Sequence, residues 1–100
     1  MEIAAGVTAA MLDCISTTFE RAEGALNALW DKQLPQVDPE LADMLRKAQR
    51  DWIDYRDTTC AAEGAVWGGG SFAAVALSDC RLRLTQERLG WLEKISRPER

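Results

Sequence analysis

Histidine is absent from this 100-residue chain. With it go the side chain most often used as a general base at neutral pH and the imidazole ligand that usually completes a zinc site. Cysteine is scarce: Cys14, Cys60 and Cys80 are too few and too widely spaced for structural zinc. No serine stands in a nucleophile-elbow context, and no glycine-rich loop joins a strand to a helix, so the common hydrolase and phosphate-binding chemistries are missing. These absences point to a protein that is not an enzyme and that carries neither cofactor nor metal.

Positive charge is also in short supply. Twelve Lys and Arg face 16 Asp and Glu, a net charge of −4, which disfavours nucleic acid and anionic lipid as partners and favours a cationic protein. Long apolar runs are lacking, since the stretch 73–77 is soon interrupted by Ser78, Asp79 and Arg81, and nothing reads as a membrane span. The segment from Met1 to Met11 is apolar but short, has no basic region ahead of it and merges into a helical pattern, so it does not read as an intact secretion signal. The alternation of a half-buried strand is nowhere visible.

What remains is helix. At 47% hydrophobic and 28% charged, the chain has the composition of one folded domain spanning 1–100. Met11, Cys14, Ile15, Phe19, Ala22, Leu26, Leu29 and Trp30 keep a helical period that predicts a first helix over about 8–31, with Thr8 as its N-cap and Pro35 setting its limit. Asp38-Pro39-Glu40 is a strong start signal, combining an N-cap carboxylate, proline at the first position and an acid in the first turn. It opens a second helix over about 39–65. Gly68-Gly69-Gly70 interrupts the helical pattern. A third helix follows over about 72–97, capped by Ser71 and ended by Pro98. Short connections make sequence neighbours antiparallel, so the expected architecture is an all-α, up-down-up bundle of three helices with a glycine loop between the second and third.

On the second helix, Leu41, Leu45, Ala48, Trp52, Tyr55 and Thr59 are assigned to the core face, and the charges between them to a solvated face on which Arg50 meets Asp54. Arg88 falls on the apolar stripe of the third helix and needs a polar partner, for which Asp57 is the candidate. Arg56, Asp57 and Arg88 are therefore read as a structural network. Trp30, Trp52 and Trp91 read as packing residues. Trp67 differs, because it stands at the glycine loop beside Glu63 and Ser71, and these three form the candidate partner contact.

The expected topology brings all three cysteines to one end of the bundle, within roughly 9–14 Å of it at ~1.5 Å per residue. Cys60 and Cys80 flank the loop, and a bridge between them would be worth ~3 kcal/mol by the loop-entropy rule. Pairings of Cys14 with either one, and three buried thiols, stand beside that option. Cys14 is expected on the core face.

The pattern Ala48-Gln49-Arg50-x-Trp52-x-x-Tyr55-Arg56-Asp57-x-x-Cys60, then Gly69-Gly70-Ser71, then Cys80-x-x-x-Leu84-Thr85-x-x-Arg88, resembles the LprI-like family of small bacterial envelope proteins, named for a lysozyme inhibitor. Cys14, Ala22, Leu26-Asn27 and Trp30, where the family usually has tyrosine, extend the resemblance into the first helix. The family pattern also has a cysteine upstream of the Cys14 position, which this chain lacks. The resemblance implies a helical fold, a periplasmic or secreted location in an oxidising compartment, a Cys60–Cys80 disulfide and a single Cys14 thiol. It further implies a non-catalytic inhibitor that binds and blocks lysozyme or another cationic peptidoglycan hydrolase. The alternative is an envelope interaction or immunity protein with a different partner.

Overall fold

The computed structural model describes residues 2–96, with side chains from Thr8 onward. Its helices are α1 (Glu2–Gln33), α2 (Pro39–Val66) and α3 (Ser71–Ile95), and a single 3-10 turn, Leu34–Gln36, joins the first two. No strand occurs among the described residues. The three helices form the expected bundle, 55 × 21 × 19 Å along its principal axes.

The element boundaries follow local chemistry. Asp38 does occupy the N-cap of α2, with Pro39 in the first turn beside Glu40, but its carboxylate makes no capping bond. The ladder starts instead from its backbone, where Ala42 N–H donates to the Asp38 carbonyl at 2.8 Å. At the other end Trp67 closes the helix, and Gly68 adopts φ +76°, the left-handed conformation that glycine tolerates best.

Three boundary expectations need correction. Thr8 is not a cap, because α1 already starts at Glu2 and passes through it. Ala4 and Ala5, good helix formers, continue the periodic segment toward the N-terminus. Ser71 is the first residue of α3 and not its cap. Gly70 holds that position in extended backbone, and Ala73 N–H donates to its carbonyl at 3.0 Å. The third helix stops at Ile95, before the expected 97, where the Ser96 hydroxyl and N–H both donate to the Leu92 carbonyl, at 2.6 and 3.1 Å. Residue 97 and Pro98 lie outside the described residues.

Helix α3 is the spine, packing against both other helices, whereas the backbones of α1 and α2 scarcely approach each other. The core changes character along that spine. Near the 3-10 turn it is apolar: Leu26, Trp30 and Leu92 are buried and are surrounded by Leu29, Leu34, Leu45, Trp52, Leu89, Trp91 and Ile95. Toward the glycine loop the buried residues are small, including Ala22, Val75, Ala76, Cys60 and Cys80. Between the two zones lie buried Arg56 and Thr85.

The core face of α2 is not the one that apolar spacing predicts. Tyr55 is 58% exposed and Leu41 is exposed too. The inward stripe runs through Ala42, Leu45, Gln49, Trp52, Arg56, Cys60 and Gly64, so polar residues take two of its positions. Because α2 packs mainly against α3 and not against α1, a narrow stripe suffices, and Tyr55 falls outside it.

Candidate functional site

At the loop end, Cys60 and Cys80 are joined by a disulfide with their Cα atoms 5.4 Å apart, and both residues are fully buried. One turn beyond, Gly64 faces α3 so closely that an added Cβ would sit 3.2 Å from Leu77 Cβ and 3.3 Å from the Ala73 carbonyl. Gly64 stays helical despite its low propensity. It lets α2 and α3 come together beside the disulfide, and its spacing of four from Cys60 is the sequence signal for that role. Arg83 adds a link by donating to Glu63 at 2.8 Å, so Glu63 is engaged within the bundle while still partly exposed.

Beyond this clamp the surface turns apolar. Trp67 is 57% exposed and its ring lies 4.8 Å from that of Phe72 at 59°, a tilted pair of the kind aromatic quadrupoles favour. Val66 is exposed beside it, and Ser71 stands at the foot of α3, also exposed. The sequence marks Trp67 as a contact, whereas Phe72 reads there only as the start of a helix.

The polar network in the middle of the bundle differs from the expected one. Arg56 donates from Nε to Asp57 at 2.9 Å, places Nη1 3.5 Å from the Thr85 hydroxyl and lies 3.6 Å from the Glu23 carboxylate on α1. Arg88 does not reach Asp57. Its Nε donates to Gln49 at 2.9 Å, and Asp57 lies instead 3.8 Å from Arg81. The reason is stacking. The guanidinium of Arg88 sits 4.0 Å from the centre of the Trp91 ring and 5.4 Å from that of Trp52, which holds it toward the apolar end of the bundle. Arg56 lies between Trp52 and Phe19, at 5.1 and 5.7 Å, and Arg81 over Phe19 at 4.7 Å. Cations and rings thus alternate as Arg81, Phe19, Arg56, Trp52, Arg88 and Trp91. Burial lowers the pKa of Arg88 below the usual guanidinium value, and the group remains charged at physiological pH.

The acidic face of α2 is solvated, but its pairing is shifted. Lys47, not Arg50, supplies the cation, donating to Asp51 at 2.7 Å. That hydrogen bond, helped by the charge of Lys47, lowers the pKa of Asp51. No group of three or more potential metal ligands occurs among the described residues.

Cys14 is a free thiol and is exposed, contrary to the expected place on the core face. Its neighbour Ile15 lines a small cavity with Phe19, Ser78 and Arg81, so α1 presents that side to α3 and turns Cys14 to solvent.

No helix among the described residues is long and apolar enough to cross a membrane. No solved structure matches the chain. An uncharacterized protein of Rhizobium meliloti (strain 1021) is 34% identical over 84 residues, covering 81% of this chain and 60% of its own length. The chain therefore spans about 60% of the length of that curated relative. The family model described as "Lysozyme inhibitor LprI" matches residues 2–92. With nearly the whole bundle inside that match, the chain belongs to the lysozyme inhibitor LprI family.

Proposed function

We propose that this chain is a non-catalytic binding protein that works outside the cytoplasm, where it blocks a lysozyme-type peptidoglycan hydrolase. Contact is made by the loop end of the bundle, through Trp67 with Glu63 and Ser71. One observation carries the choice of surface: an exposed Trp67–Phe72 pair mounted directly on a disulfide-clamped hairpin. A solvent-exposed tryptophan on a rigid support buries large area on docking at small entropic cost, which is the profile of an interface anchor. The family description supports the target class. The net charge of −4 favours encounter with a cationic hydrolase, whose cleft between two carboxylates the tip would obstruct. The disulfide supports an oxidising location.

A turbidity assay with suspended peptidoglycan and a cationic lysozyme tests the reading. The parent protein slows clearing. The double variant Trp67→Ala, Glu63→Ala keeps its helical circular dichroism and loses inhibition by about 10-fold or more, as expected when a hot-spot anchor is truncated. Equal inhibition by parent and double variant rejects the loop end as the contact. Unchanged lysis by several lysozymes in the presence of the parent rejects the target class and leaves a different envelope partner as the reading.

A further inference from the structure

Away from the loop, the divergence of α1 from α2 opens a cleft of about 510 Å³ that no feature of the proposed inhibitor surface uses. Asn27, Trp30 and Asp31 of α1 form one wall, and Gln49, Arg50 and Ile53 of α2 the other, together with Arg46, which is already paired with Asp43 at 3.2 Å. Asn27, Gln49 and Ile53 also line an adjoining space of about 270 Å³ that reaches Glu23 and Arg56. A cleft of about 510 Å³ is in the range that holds small molecules and short peptides.

The walls carry groups left unmatched. Asp31 makes no ion pair or hydrogen bond among the described residues. Arg50 makes none either, and its one electrostatic neighbour, Asp51, is already held by Lys47 at 2.7 Å. Anion and cation face the same cleft from opposite helices without bridging it. Trp30 is only 6% exposed, and its Nε1–H finds no acceptor among the described residues. Trp30 lines both this cleft and a second space beside Leu41, Leu45 and Leu92, so its indole signal reports on what binds nearby.

We infer that the α1–α2 cleft binds a short zwitterionic peptide. The free carboxylate of the ligand lies against Arg50, and its ammonium lies against Asp31. Asn27 and Gln49 offer amide groups for the peptide backbone, and Ile53 an apolar wall for a small side chain. Opposite charges on opposite walls select for a ligand with both ends free, because a simple anion leaves Asp31 unmatched and a simple cation leaves Arg50 so.

Titration of the full chain with tri-alanine, followed by the indole ¹H–¹⁵N cross-peaks, tests this. Free-ended tri-alanine is expected to move the Trp30 cross-peak saturably. N-acetyl-tri-alanine amide and acetate are each expected to bind at least about 10-fold more weakly. Arg50→Gln and Asp31→Asn are each expected to weaken tri-alanine by about 5-fold or more while leaving the melting temperature close to the parent's, since both side chains are exposed. Equal binding of the blocked peptide, an equal response to acetate, no saturable shift at about 10 mM tri-alanine, or full affinity in both variants overturns the assignment. None of these outcomes bears on lysozyme inhibition, which is placed at the opposite end of the bundle.

Discussion

Arg56 on α2 reaches Glu23 on α1 across a gap that the two backbones leave open, with Nη1 3.6 Å from the carboxylate. It does so while held between the rings of Phe19 and Trp52, so one side chain makes a polar tie between helices whose other side-chain contact is the apolar cluster near the 3-10 turn.

Replacing Arg56 by leucine removes the bonds to Asp57 and Thr85, two cation–ring contacts and the link to α1, and leaves the fully buried Thr85 hydroxyl without that partner. The expected loss is about 2–3 kcal/mol, short of the larger values for fully buried pairs because Glu23 and Asp57 both reach solvent. Lysine keeps the charge but not the flat stacking surface and is expected to recover less than half of this. Urea denaturation of the two variants decides the order.

Two glycine-to-alanine substitutions with opposite expected signs test the close approach at the clamp. Alanine at Gly24, in α1 with nothing within 4 Å of its new Cβ, is expected to stabilise by about 0.5–1 kcal/mol through helix propensity. Alanine at Gly64 meets Leu77 Cβ at 3.2 Å and the Ala73 carbonyl at 3.3 Å, and is expected to destabilise by about 1–2 kcal/mol despite the same propensity gain. Thermal melts of both variants compare the two effects directly.

Thiol counting checks the cysteine assignment. Native protein is expected to show one fast-reacting thiol, from exposed Cys14, and the same single thiol after denaturation without reductant. Three appear only after reduction. The Cys60→Ala, Cys80→Ala variant is expected to lose ~3 kcal/mol by the loop-closure rule.

Asp51 sets a pH expectation. Its native pKa is depressed by Lys47, so the folded state gains from its ionised form above the unfolded carboxylate range, and that gain is lost as pH falls through the lowered native value. Carboxylate NMR titration should place Asp51 below the ordinary aspartate value. Lys47→Ala should raise it toward that value with little change in stability, since the pair is solvent-exposed.

These features differ in how plainly the sequence announces them. Asp38-Pro39-Glu40 and the triple glycine mark helix ends through chemistry local to a few residues, and both boundaries stand within a residue of expectation. The alternation of arginines and rings draws on all three helices, and no spacing within one helix encodes it. Reading apolar residues as inward and charged ones as outward put Tyr55 in the core and Arg56 in water. The rule fails here because a guanidinium sandwiched between rings is buried at modest cost, whereas a tyrosine just off a narrow packing stripe has nothing to cover it. The exposure of Cys14 is hidden for a related reason: a small residue on an apolar period reads the same whether or not a neighbouring helix covers it.

Because α3 alone packs its backbone closely against both partners, the three rods do not share their burden equally. The α2–α3 hairpin is sealed by a covalent bridge and is local in sequence, while α1 is held without one, by its seam on α3, by Arg56 and by the apolar cluster around Leu26 and Trp30. Partial opening is therefore expected to take a single route, with α1 swinging out about the 3-10 turn as the hairpin stays shut. Amide exchange should show protons of α1 released well before those flanking Cys60 and Cys80, and equal protection in all three helices would rule out that order.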